Sequence, residues 1–542
     1  MKSLHELDEA LRLAVLGACS LLLLTPSGAS ASGDPEAGPA VVRREELAYP
    51  AVFEDAAVPV RDVAVTGVTS YTAAELLRFA IAHERESLGR STIAGTVDAI
   101  ELIYREDGYL LAEARASLDP SSGRLAVEVH EGHVDSLTIE GLRPKAARQA
   151  ERYLRGLLHR QPLRSPAFER ALMLSSDLSG VYVRSEFSFA PSSPGATLKL
   201  TGFEDRGSGS FSVDNVPLRP DMAGRAYAVH EQRGLAVGGD MLRVFGSLTL
   251  GPEDSHSLGG TVFYRAPVGA AGTYVEAFAG NAFSSRQFAQ VTTNSEQLGL
   301  NAVLAVGHPI RRDLDSYLYV IGEYEYADAE SRTGVDEFDS RTSSGRAYLV
   351  YGHNFPRGGL VQASLEVSAG VRPDTEPGRP DDGVKQFAHV RAGVGLITGL
   401  PFLSDRAYLR LEANGQWSGT SLPEIERFAV GFQPHLRGYA PYEGDGDRGV
   451  ASVLELSYIK PVKSGLFREL MPFAFVDAGA VELVMPQAGQ VGSEQLASTG
   501  VGLRMVFARA FSAGTWVGVP LVSGPISESG DATFYVRVSK SW

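Results

Sequence analysis

From about Glu204 to Trp542 the chain reads as strands alone, and this constrains the fold more than any other feature. In "RAYLRLEA", Ala407, Leu409, Leu411 and Ala413 share one face, and Arg406, Arg410 and Glu412 the other. In "SYLYVIGEYEY", Leu318, Val320, Tyr324 and Tyr326 back onto Glu323 and Glu325. This period of two is the signature of a strand with two unlike faces. Such a strand fits a soluble sandwich, whose apolar face is the core. It also fits a transmembrane barrel, whose apolar face meets lipid while the charged face meets a watery lumen.

Several features favour the barrel. Roughly 340 residues run on without a convincing helix, through Gly-, Asp- and Ser-rich turns, to an aromatic end, "TFYVRVSKSW". There Phe534, Val536, Val538 and Trp542 fall on one face. At about 20 residues per strand and connection, the segment makes about 16 strands. The first residues read as an export signal, 1–31: Lys2 and Arg12, an apolar run from Leu13 to Leu24, and Ala29-Ser30-Ala31 as a cleavage site. Glu6, Asp8 and Glu9 are unusual there. "LGAC" also resembles a lipoprotein box, but the apolar run continues past Cys19. Cys19 is the one cysteine, so cleavage leaves a chain without thiols or disulfides. No later stretch approaches the roughly 18 apolar residues of a spanning helix. An exported chain of this kind is soluble or a closed barrel. The net charge of −15 argues against a nucleic-acid partner.

Residues 32–59 read as a linker, with a possible short helix at Val41–Ala48. Residues 60–132 then alternate strand, helix, helix, strand, strand. Thr72 is placed to cap the first helix. Ile93, Val97, Ile100 and Tyr104 share a face of the second, which ends at Gly108. "YLLAEARASL" and "RLAVEVHEG" supply the strands, with Leu125, Val127 and Val129 inward. The same order returns over 133–203, so two α+β repeats precede the 204–542 segment.

Two stretches of the strand-rich segment stand out. "PHLRGYAPYEGDGDRG", 434–449, is a long glycine-rich connection holding Leu436, Arg437, Gly438 and Tyr439, then Gly446, Asp447, Arg448 and Gly449. "FAFVDAGA" places Phe473, Phe475, Asp477 and Gly479 on one face and Ala474, Val476 and Ala478 on the other. The small apolar set suits lipid, which points Asp477 into the lumen. A guanidinium in a partly dehydrated lumen needs a planar acceptor, and a carboxylate takes two parallel bonds.

With the two repeats, these motifs resemble the two-partner-secretion transporters of the outer membrane. These are the haemolysin secretion/activation proteins (ShlB/FhaC/HecB-like, or TpsB) of the BamA-type superfamily. The repeats resemble POTRA domains in "REDGYLLAEA", "LAVEVHEGHVDSLTIEG" and "LSGVYVRSEFSFAPSSPGATLKL". "LDPSSGRL" departs from the family in lacking a glutamine after its proline. The resemblance implies a transmembrane antiparallel β-barrel of about 16 strands preceded by two α+β POTRA domains. It implies that 434–449 turns inward, with Arg437 on Asp477, in a Gram-negative outer membrane with the POTRA domains in the periplasm. The implied partners are a secreted adhesin- or haemolysin-like protein with an amino-terminal secretion domain, outer-membrane lipid, and the machinery that inserts the barrel. An alternative within the superfamily is a factor that assembles other outer-membrane proteins. Val41–Ala48 is too short for the plug helix such transporters often carry.

Chemistry-bearing motifs are weak. "HEGH", His130 to His133, has histidines three apart at a strand end, whereas a zinc-protease helix needs them four apart. "DGD", Asp445 to Asp447, lacks the further ligands of a calcium loop. No nucleophile motif, phosphate loop or cofactor fingerprint is present, so neither an enzyme nor a cofactor is expected.

Overall fold

The computed structural model describes residues 41–43, 61–76, 90–160, 162–189, 195–216, 224–252, 255–288, 291–333, 336–356, 358–372, 385–431, 436–441, 443–462, 465–486, 490–507 and 510–542. The expected signal and most of the expected linker lie outside them. One compact unit ends at Glu204, and a second begins at Asp205.

The first unit opens with β1 (Val41–Arg43), followed by β2 (Asp62–Thr66), α1 (Arg90–Glu106), β3 (Glu113–Asp119) and β4 (Arg124–His130). It continues with β5 (Val134–Glu140), α2 (Pro144–Leu154), α3 (Ser165–Ser176), β6 (Val181–Phe189) and β7 (Ala196–Glu204). In the first sheet β4 pairs in parallel with β2 and antiparallel with β3. In the second, β7 pairs in parallel with β5 and antiparallel with β6. The two repeats therefore share one topology. The second sheet gains β1, parallel to the outer edge of β6. So the first three residues of the expected short helix are extended instead, because an open sheet edge offers unpaired backbone groups that a helix start does not. Residues 44–48 lie outside the description.

Helix α1 turns Val97, Ile100 and Tyr104 onto Leu125, Val127 and Val129. Thr72 and Glu75 form a capping box: the Thr72 amide and hydroxyl each donate to Glu75 Oε2 at 2.8 Å, and the Glu75 amide donates back to Thr72 Oγ1 at 3.3 Å. Residues 73–76 are helical, and the rest of that expected helix lies outside the described residues. The glutamate of "HEGH", Glu131, is fully buried. It accepts hydrogen bonds from the Thr69 and Ser70 amides at 2.9 and 2.7 Å, from the Tyr104 hydroxyl at 2.9 Å, and from the Thr69 hydroxyl. Burial disfavours its charge, yet these donors hold its carboxyl below the usual range. His130 and His133 lie beside Glu128 and Asp135. Among the described residues no cluster could hold a metal ion. The repeats meet at a packed junction, where Leu111 joins the second core and Arg164 donates to the Tyr109 hydroxyl at 3.1 Å.

The second unit is a barrel. Its wall starts with β8 (Gly207–Asp214), β9 (Gly224–Arg233), β10 (Met241–Leu250), β11 (His256–Val268), β12 (Thr273–Phe288) and β13 (Val291–Arg312). Next come β14 (Ser316–Thr333), β15 (Asp336–Asn354), β16 (Gly359–Val371), β17 (Gln386–Gly399) and β18 (Ala407–Trp417). The connection after β18 contains a ribbon of β19 (Phe428–Val430) and β20 (Gly444–Gly446). The wall resumes with β21 (Arg448–Tyr458), β22 (Lys460–Pro461), β23 (Phe467–Glu482), β24 (Ser493–Phe507), β25 (Phe511–Pro520) and β26 (Thr533–Ser541). β22 continues β21 past Ile459 along the same neighbour, β23, so the wall has 16 strands, all antiparallel. β26 pairs with β8 and closes it.

The faces decide between the two readings of the alternation. Apolar side chains such as Leu304, Val476, Val501 and Phe534 are exposed on the outside, while Glu323, Glu325, Arg410, Glu412 and Asp477 are buried inside. A soluble sandwich has the opposite arrangement. Inside, aromatic rings lie over glycines directly across the ladder: Tyr274 on Gly307, Tyr317 on Gly352, Phe473 on Gly502 and Phe475 on Gly500. A bare glycine leaves the ladder open there, and the neighbouring ring covers it.

Candidate functional site

Every second connection of the wall, counted from the one after β8, opens at the same end of the barrel, and the sixth at that end spans residues 418–447. This connection turns into the lumen. Its tip is shaped by backbone that few residues adopt: Leu436 has φ 60° and Gly438 φ 101°. The bend presents Arg437 to the wall. Arg437 Nε and Nη2 donate to Asp477 Oδ2 and Oδ1, each at 2.8 Å, and the Arg437 amide donates to Oδ2 at 3.0 Å. Nη1 donates to Glu455 Oε2 at 2.7 Å. The guanidinium carbon lies 3.5 Å from the centroid of the Phe475 ring, a cation–π contact.

Every residue of the two motifs meets a neighbour. Leu436 is buried with Val430, Tyr439, Ala451, Val481 and Leu496. Gly479 leaves room for it: a Cβ there would sit 2.6 Å from Leu436 Cδ1. Gly438 packs backbone to backbone on Gly518 of β25, where a Cβ on either would fall 2.6–2.7 Å from main-chain atoms of the other. The Gly438 amide donates to the Tyr535 hydroxyl at 3.0 Å, and Thr533 Oγ1 donates to its carbonyl at 3.0 Å. The Tyr439 hydroxyl lies 2.6 Å from the Val522 carbonyl and 2.8 Å from that of Ala497.

The second motif closes the returning leg. A Cβ on Gly446 would meet the Glu482 amide at 2.6 Å, and one on Gly449 would meet the Phe428 ring at 2.5 Å. Asp447 is buried and accepts the Leu422 and Val484 amides at 2.7 and 2.8 Å. It thus ties the near leg of this connection to the connection that follows β23. Arg448 donates to the Ser418 carbonyl at 2.9 Å and lies over Trp417.

In this arrangement the loop tip lies against the inner wall through a charge pair, an aromatic face and glycine contacts. The sequence profile of the haemolysin secretion/activation protein family ShlB/FhaC/HecB matches residues 208–505. The chain belongs to the ShlB/FhaC/HecB family. The profile of the ShlB-type POTRA domain matches residues 58–132, the first repeat. Two solved structures resemble this ShlB/FhaC/HecB protein over 100% of its length and 97% of their own. They are CdiB from Escherichia coli, at 20% identity and a TM-score of 0.73, and CdiB from Acinetobacter baumannii, at 16% and 0.68. BamA from Haemophilus ducreyi lacking POTRA domains 1–3 aligns with 89% of the chain and 100% of its own, at 15% identity and a TM-score of 0.50. At these identities the likeness speaks for the fold alone. No curated protein matches the chain by sequence. The family places the chain among outer-membrane secretion pores, with POTRA domains that are periplasmic in this family, and not among enzymes.

Three residues of the site escape a reading of the sequence. Glu455 joins Arg437 to Arg504, whose Nη1 and Nη2 donate to it at 2.7 and 3.0 Å while Arg504 lies over Phe473. Tyr535 receives the Gly438 amide. Glu443 accepts the Ile526 and Ser527 amides at 3.0 and 2.7 Å. The alternation of "ASVLELSY" marks Glu455 as luminal, and its place on the strand after "GDRG" is the one available signal.

Proposed function

We propose that this barrel secretes a partner exoprotein, adhesin- or haemolysin-like, to the cell surface after capturing its amino-terminal secretion domain on the periplasmic POTRA domains. The observation that carries the reading is the secretion-family match across the barrel, joined to a sixth connection tied to the inner wall. Capture proceeds by strand addition. Among the described residues β3 pairs only with β4, so its outer edge is open to an extended segment of the partner. Arg437 and Asp477, with Phe475 and Gly479, hold the loop in the lumen and perform no chemistry. The exposed apolar belt meets outer-membrane lipid, and the cell's assembly machinery inserts the barrel. The purified full chain should bind the amino-terminal domain of an exoprotein encoded beside it. Peptides blocking the β3 edge should compete. A full chain that ignores that domain contradicts the reading.

A further inference from the structure

The sixth connection carries a second contact with the wall. Its near leg forms a short 3₁₀ turn, Glu424–Glu426, and Glu426 is buried. Arg346 Nη2 of β15 donates to both Glu426 oxygens, at 3.0 and 3.2 Å. His389 Nε2 of β17 lies 2.9 Å from Oε2, and Arg391 Nη2 donates to the Glu426 carbonyl at 3.0 Å. The tip, by contrast, is held on β21, β23, β25 and β26. The connection is therefore strapped to two separate parts of the wall.

The two anchors differ in what they leave behind. Among the described residues Asp477 takes hydrogen bonds from Arg437 alone, so withdrawal of the tip strands a buried carboxylate. Withdrawal of Glu426 strands no charge, although His389 Nε2 and the Gln416 side-chain amide each lose a partner. Arg346 keeps Glu323 at 3.2 Å, Glu325, and Glu366 at 3.6 Å, all on neighbouring wall strands. Glu426 is in fact a fourth carboxylate around that arginine. Both Glu366 oxygens already lack hydrogen-bond partners among the described residues. An isolated buried charge is costly, and a like charge beside a crowded acidic set is repelled.

We propose that Glu426 is a second, releasable anchor of the inward loop, held by Arg346 and His389, which lets go before the Arg437–Asp477 tip. This rests on the proposed secretion pore, with that loop in its lumen. Planar-bilayer recording of the purified full chain tests it. Glu426→Gln keeps the shape and removes the charge. It should raise the open-to-closed ratio about tenfold, the factor that 1.4 kcal/mol produces. Arg346→Gln should do the same, and the double variant should add little to either. Chymotryptic cleavage after Phe428 should quicken in parallel, which reads the loop even if no form conducts. Silence in every form, wild type included, would then count against the pore reading alone. Heat-modifiable migration confirms a folded barrel, and Glu426→Gln carries the test if Arg346→Gln fails to insert. A folded Glu426→Gln barrel with wild-type cleavage overturns the anchor. So do additive effects in the double variant.

Discussion

Arg437 and Asp477 stand 40 residues apart in the chain, yet they meet through two parallel N–H···O bonds of 2.8 Å each. Breaking a buried pair of this kind costs about 3–5 kcal/mol, because one charge stays behind unpaired. Arg437→Ala should therefore free the loop tip, and protease cleavage within 436–441 should rise sharply in folded barrels. Arg437→Lys should recover only part of the hold, since an ammonium cannot make the fork and Glu455 contact together. Equal cleavage of the Lys and wild-type proteins would contradict the importance of the bidentate geometry.

Gly518 lies on the wall, not in the loop, yet it should behave as a loop residue. Its hydrogen faces the Gly438 backbone, and a Cβ would come within 2.6 Å of the Gly438 amide. Gly518→Ala should weaken tip docking by about 1–3 kcal/mol, the usual range for overpacking. Cleavage within 436–441 measures this. Gly246, with open space where its Cβ would go, is the control.

Glu131 gives the first repeat a pH dependence with a definite sign. Its folded carboxyl titrates lower than in the unfolded chain. Its stabilisation is complete above the unfolded value, about pH 4.3, and is lost as pH falls through the lower folded value. Glu131→Gln should lower stability at neutral pH by about 1–3 kcal/mol, because donors aimed at a charge lose it. Thermal melting of the amino-terminal unit between pH 7 and pH 3 should show the variant and wild-type curves converging in acid. Parallel curves would contradict the assignment.

Much of this architecture is legible in the sequence for a simple reason. In a barrel wall each residue faces either lipid or lumen, so the period of two in "RAYLRLEA" or "FAFVDAGA" maps directly onto burial. Thr72 and Glu75 read equally well, since a capping box is local. The tip motif is recognisable by family resemblance. Its luminal partners are not, because Glu455, Tyr535 and Glu426 look like any inward polar residue. What selects them is strand register and loop path: Glu455 stands across the ladder from Phe475, and only the folded turn brings Glu426 to Arg346. Val41–Arg43 is extended because β6 offers an edge, not because three residues specify a strand.

The outer face should be intolerant of charge. Leu304 on β13 is 64% exposed between apolar neighbours. Leu304→Arg should cost up to about 2–4 kcal/mol in a bilayer, the range for arginine at lipid-facing barrel positions. The fraction of heat-modifiable, folded barrel in outer membranes reads the loss. An inward neutralisation on the next strand, Glu325→Gln, should leave that fraction near wild type.

Export of a partner exoprotein through this pore is the proposal with most at stake. The most direct measurement follows a candidate partner, any large exoprotein found encoded beside the chain, in cells with and without the full-length protein. Surface protease and culture-medium assays read its location. Exoprotein should reach the surface or medium only when the chain is present and should drop sharply with Arg437→Ala in folded barrels, and the levels of other outer-membrane proteins should stay unchanged. Export that continues without the chain would contradict the proposal, as would a general loss of barrel proteins on deletion, the mark of an assembly factor.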